Sequence, residues 1–99
     1  MGLAMDPAGN EIRALQKATD WRGKRVVEIG CGSGRLTLRL AALAPRRIEA
    51  LDPAAGLIRL ARRSLPARYR KRIDYHVGHA ERLRYPAGTF DIAVFSWVL

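Results

Sequence analysis

The segment Val26-Val27-Glu28-Ile29-Gly30-Cys31-Gly32-Ser33-Gly34-Arg35 sets three alternate glycines directly behind a short apolar run. Glycine has no Cβ, so a turn built from it can bring backbone close to a ligand and reach left-handed angles. Lying between a strand and a helix, such a turn also presents backbone N–H groups at a helix N-terminus. Asp52 stands twenty residues beyond Gly32, at the end of Ile48-Glu49-Ala50-Leu51-Asp52-Pro53. A carboxylate at that distance can accept both hydroxyls of a ribose, whichever nucleoside cofactor the turn serves. The other reading of Asp52 is a cap on the helix that follows Pro53. Glu28 is an acid within an apolar strand, and its alternative role is a polar residue at a sheet edge.

Three nucleotide-binding patterns can be weighed against this turn. A phosphate-binding loop needs G-x-x-x-x-G-K-[ST]; neither the spacing nor the lysine is present. A dinucleotide fingerprint needs G-x-G-x-x-G, and its third glycine would fall on Arg35. The spacing found is E-x-G-x-G-x-G, which resembles the first motif of the class I S-adenosylmethionine-dependent methyltransferases. Ile48 to Pro53 is similar to that family's second strand with its ribose-binding acid. Gly78-His79-Ala80-Glu81 and Phe90-Asp91-Ile92-Ala93-Val94 resemble its third and fourth strand endings.

The resemblance implies S-adenosyl-L-methionine as cofactor and assigns roles to individual residues. Gly30 and Gly32, with Cys31 and Gly34 in the same turn, would line the methionine part, and Glu28 would face its amino-acid end. Asp52, followed by Pro53, would take the ribose. Leu57 would pack on the adenine face, or simply in the core. His79 stands where the family commonly has an acid that meets the adenine amino group. A neutral imidazole can accept that hydrogen bond through one ring nitrogen or point to solvent. Ala80 would offer its backbone N–H to the adenine ring, and Ser96 would border the same crevice. Cys31 reads most simply as a small turn residue, since nothing near it in sequence supplies a base. No catalytic acid or base stands out, and none is demanded: the sulfonium is already a strong electrophile, so the protein mainly aligns and excludes water.

These residues need elements to hold them. Val26 to Ile29 is short, β-branched and followed at once by glycine, as a buried strand is. From Gly34 to Ala44 the period is helical, with Leu36, Leu40 and Leu43 on one face and Pro45 as the stop. Ile48 to Leu51 is a second strand. Pro53 permits a helix whose apolar side is Leu57, Ile58, Leu60 and Ala61, ended by Pro66. Ile73 to Val77 alternates as a strand, Tyr85 to Gly88 is a turn, and Phe90 to Leu99 is the most apolar segment. Ile12, Leu15 and Ala18 suggest an amphipathic helix within the first twenty residues.

Alternation of strand and helix predicts an α/β fold with an open, parallel, Rossmann-like sheet. The resemblance implies a strand order of 3-2-1-4, which places the ligand crevice between the first and fourth strands. Residues 1–20 would form a helical lead-in and 21–99 the cofactor-binding half of a domain truncated after its fourth strand. That strand would then be an exposed apolar edge, a liability in natural sheets.

Composition narrows the setting. With 99 residues, 48% of them hydrophobic and 27% charged, the chain is ordinary globular material. No run has the length of a membrane span. The start lacks a signal-peptide pattern, and the single Cys31 precludes an internal disulfide, so the expected compartment is a reducing cytoplasm. Net charge is +9 from 18 basic and 9 acidic residues. The basic residues run from Arg13 to Arg84 with one dense cluster at Arg68, Arg70, Lys71 and Arg72, which reads as solvated surface, with RNA binding as the alternative. The Asn/Asp-Pro-Pro-aromatic motif of base-amino methyltransferases is absent after the fourth strand. The ending Ser96-Trp97-Val98-Leu99 resembles the broad group of these enzymes that methylates small molecules, which implies methyl transfer to a small molecule. The competing readings are a non-enzymatic nucleotide- or RNA-binding module and an RNA methyltransferase.

Overall fold

The structure is a computed structural model that describes residues 2–4 (backbone), 16–79 and 85–96. Its elements in chain order are β1 (Gly2–Ala4), β2 (Arg25–Ile29), α1 (Arg35–Ala41), β3 (Arg47–Asp52), α2 (Ala55–Ser64), a 3₁₀ turn (Ala67–Tyr69), β4 (Ile73–Val77) and β5 (Ile92–Phe95). The strands form one parallel sheet in the order β1-β5-β2-β3-β4. Counting from β2, this is the expected 3-2-1-4 arrangement.

Both described helices pack on one face of the sheet. Leu36, Leu40 and Ala41 from α1 and Ile58 and Ala61 from α2 meet Val26, Ile48, Ala50, Ile73, Tyr75, Ile92 and Val94 from the strands, with Trp21 at the margin. The apolar positions of each helix fall three and four apart, so they form one stripe. The strands bury residues at alternate positions, as β4 does with Ile73 and Tyr75. Helix α1 ends before Ala44, which has φ 63, and Pro45. Helix α2 ends at Leu65, held extended by the following proline. Arg62 fastens α2 to β4 by donating from Nη2 to the Tyr75 carbonyl at 2.7 Å.

The expected bare edge is a correction. Gly2, Leu3 and Ala4 pair in parallel with Ala93, Val94 and Phe95, so β1 occupies the outer side of β5. Nothing in so short a segment, with no alternation, marks it as a strand; its partner's open hydrogen-bonding groups create it. The expected amphipathic helix of Ile12, Leu15 and Ala18 lies largely outside the described residues, although residues 16–18 are helical.

Candidate functional site

The carboxyl ends of β2, β3, β4 and β5 are tied to one another by backbone bonds. Gly30 and Cys31 donate to the Leu51 carbonyl at 2.8 and 3.0 Å, Gly78 to Asp52 at 3.1 Å, and Ser96 to Ile29 at 2.9 Å. Gly30, Gly32 and Gly34 all have positive φ, of 83, 59 and 91°. At Gly32 an added Cβ would meet nothing within 4 Å, so open space adjoins the turn there. Gly34 answers to packing instead: a Cβ on it would lie 2.5 Å from the Tyr75 hydroxyl.

Four of the turn's N–H groups are already engaged within the protein. Those of Gly30 and Cys31 serve Leu51, that of Gly34 serves the Cys31 carbonyl at 3.0 Å, and that of Gly32 reaches Asp52 Oδ2 at 2.9 Å. Three of these bonds go to backbone carbonyls and the fourth to the Asp52 carboxylate, and α1 begins immediately after the turn. What the turn offers a ligand is close approach.

Asp52 is almost buried, 9% exposed, at the end of β3. Oδ2 accepts from Gly32, and Oδ1 accepts from the Ala54 N–H at 2.9 Å, a local turn just ahead of α2. One bond per oxygen leaves each with a further lone pair, so the carboxylate is fixed in place and can still accept hydroxyls. Pro53 and Leu57 are exposed beside it. His79 follows β4 and is exposed, and Ala80 lies outside the described residues.

Glu28 is fully buried under the turn. Thr37 on α1 donates to its Oε1 at 2.5 Å, and Ser96 after β5 donates to its Oε2 at 2.6 Å while lying 3.1 Å from the Gly30 carbonyl. One carboxylate thus joins β2, α1 and the end of β5, which holds Ser96 against the glycine turn. The family resemblance had Glu28 facing the cofactor; neither Thr37 nor Tyr75 was anticipated. An acid inside an apolar strand and a threonine on a leucine-lined helix face were the available signals. Burial, and then the negative charges of Glu28 and Asp52, push the Cys31 thiol up. It stays protonated, which suits a turn residue and not a nucleophile. Burial likewise raises Tyr75 to about 12, while its hydrogen bond with Thr37 acts the other way.

A second group of titratable residues occupies the opposite face of the sheet. Single ligand atoms of Glu49, Asp74 and His76 lie within 4.8 Å of one another. Arg47 already pairs with both Glu49 and Asp74, and His76 Nε2 lies 3.3 Å from Glu49 Oε1, so the guanidinium supplies the counter-charge there. Among the described residues, no helix is long and apolar enough to cross a membrane.

Known proteins share this arrangement. Residues 26–99 match a family model described as a methyltransferase domain. The chain is 39% identical over 77 residues to a ubiquinone biosynthesis O-methyltransferase of Methylocella silvestris, covering 78% of this chain and 29% of that protein. It is 38% identical over 79 residues to a magnesium-protoporphyrin O-methyltransferase of Rhodobacter capsulatus, covering 76% and 32%. An S-adenosylmethionine-dependent methyltransferase from Mesorhizobium loti shares the fold with a TM-score of 0.76 at 23% identity, over 91% of this chain and 40% of that one. The chain therefore spans about a third of the length of these curated relatives.

Proposed function

The chain belongs to the methyltransferase domain family, and from that premise we propose that it forms the cofactor cradle of an S-adenosylmethionine-dependent enzyme that methylates an oxygen of a small molecule. The observation that carries the reading is Asp52, nearly buried and pinned to Gly32 at the mouth of the strand ends. S-adenosylmethionine, when bound, supplies a methyl group on a sulfonium. The protein's own residues do the rest. The open space beside Gly32 admits a nucleoside conjugate, and the free lone pairs of Asp52 suit vicinal hydroxyls. Glu28 works from beneath, keeping Ser96 and the Gly30 carbonyl in register. The curated relatives are named for oxygen methylation of ubiquinone precursors and a porphyrin, which supports a small-molecule acceptor.

Calorimetric titration with S-adenosylmethionine, S-adenosylhomocysteine and NAD tests the cofactor. The first two should bind and NAD should not. Asp52→Ala should weaken both by at least tenfold, about 1.4 kcal/mol, with the far-UV circular dichroism spectrum retained. Binding of NAD alone, or undiminished affinity in Asp52→Ala, would overturn the reading.

A further inference from the structure

Seven of the eighteen basic residues, Arg22, Lys24, Arg25, Arg46, Arg47, Lys71 and Arg72, lie at the pole opposite the cradle. Three adjacent parallel strands are each entered through a basic pair: Lys24-Arg25 at β2, Arg46-Arg47 at β3 and Lys71-Arg72 at β4. The register places Arg25 opposite Arg47, and Ile48 opposite Ile73, which sets Arg47 beside Arg72. Backbone bonds hold the row together: Arg46 donates to the Lys24 carbonyl at 2.8 Å, and Ile48 to the Arg72 carbonyl at 2.7 Å. Neighbouring strands lie about 4.8 Å apart, so the row spans roughly 10 Å.

Acids neutralise only part of it. Asp91 takes Arg25, and Glu49 and Asp74 take Arg47. The side chains of Arg22, Arg46, Lys71 and Arg72 form no salt bridge among the described residues; Asp20 accepts only the Arg22 backbone N–H, at 3.1 Å, and Lys24 lies in the field of Asp91. Three of these, Arg22, Arg46 and Arg72, line one open cavity of about 470 Å³ floored by Gly23, Ala44 and Pro45. Arginine guanidinium groups are suited to the planar, two-point recognition of phosphate oxygens.

We propose that this pole is a nucleic-acid-binding site, in which Arg22, Arg46 and Arg72 grip the phosphodiester backbone of an RNA strand. Three basic residues around one concavity suit backbone phosphates and call for no base recognition. A lipid surface would need apolar anchors beside the charge. Of the four exposed large apolar side chains among the described residues, Leu57, Leu60 and Val77 lie on α2 and at the carboxyl end of β4, and Tyr85 is engaged edge-on with Phe90. The site is separate from the cofactor cradle: β2 puts about 13 Å between Arg25 and Ile29, at about 3.3 Å per residue.

The test is fluorescence anisotropy of a labelled oligouridylate with the full chain at about 50 and about 200 mM salt. Two triple variants of equal charge are compared: Arg22→Gln/Arg46→Gln/Arg72→Gln at the pole, and Arg59→Gln/Arg63→Gln/Arg68→Gln on α2 and the turn after it. The wild type should bind with a steep salt dependence. The pole variant should lose at least tenfold in affinity, and its salt slope should fall by about 2, from about 0.7 per phosphate contact. The α2 variant should stay within threefold, and both should bind S-adenosylhomocysteine as the wild type does. Equal losses in the two variants would reduce the effect to net charge. Absence of RNA binding, binding of phosphatidylglycerol vesicles but not RNA, or displacement of RNA by S-adenosylhomocysteine would each overturn the assignment. Failure of the cradle reading would appear separately, as cofactor binding lost from the wild type.

Discussion

The two poles of the sheet solve opposite problems. At the carboxyl ends, polar groups are drawn inward and bonded to each other: Glu28 to Thr37 and Ser96, Asp52 to Gly32 and Ala54, Gly30 and Cys31 to Leu51. At the amino ends, charges are turned outward and several have no acidic partner among the described residues. A buried group left unsatisfied costs its full desolvation, whereas an exposed charge keeps its water. The carboxyl pole is therefore sensitive to the loss of any one part. The amino pole can change without the fold responding, which leaves its sequence free to serve binding.

Substitutions can break that contrast. The largest effect is expected at Gly34→Ala, which forces a side chain into φ 91 and against the Tyr75 hydroxyl. Urea melts should show a loss of about 3 kcal/mol or more, from left-handed strain together with overpacking. Tyr75→Phe removes the nearest atom, so the same change should cost less in that background; an equal cost in both would leave only backbone strain. Glu28→Gln comes next, at about 1–3 kcal/mol, because its amide cannot accept from both hydroxyls as the carboxylate does. Arg46→Gln with Arg72→Gln should stay within about 0.5 kcal/mol by the same melts; a loss matching that of Glu28→Gln would erase the distinction between the poles.

The smallest effect is expected at Asp91. Hydrogen bonds from the Arg25 side chain, and then from its backbone N–H, hold this exposed carboxyl below its ordinary value of 3.8. A depressed folded value means that the bond stabilises above the ordinary carboxylate range and is lost as pH falls through the folded value. The Tm difference between wild type and Asp91→Asn should be small near neutrality, begin to shrink only as pH falls below the ordinary value of 3.8, and vanish once pH is below the lowered folded value. A difference that grows on acidification would reverse the sign argued here.

Local pattern carried much of this architecture. Short β-branched runs ending in Gly30 and Asp52, and leucines at helical spacing, suffice to place β2, α1 and β3, because each bears its own periodicity. What depends on distant partners was not legible. The Thr37–Glu28–Ser96 bond set joins residues nine and sixty-eight positions apart. Gly34 reads as a ligand-facing glycine until Tyr75 is seen above it. The basic row is invisible in a linear reading because its members come from three separate strand entries. The charge cluster noted in sequence, Arg68 to Arg72, supplies only its last two positions.

Strand β5 has a consequence for how the sheet is assembled. Its inner partner lies sixty-six residues upstream, Val26 to Ile92, and its outer partner ninety-one, Gly2 to Ala93. The β2–β3 pairing spans only twenty-two. Closing the longest of these loops costs about 1.3 kcal/mol more entropy than the shortest, on the logarithmic scaling of chain closure. Growth from β2 and β3 outward is thus favoured, with β5 joining later and the first residues of the chain settling last. Until Gly2–Ala4 pair with its outer side, β5 leaves the sheet open there.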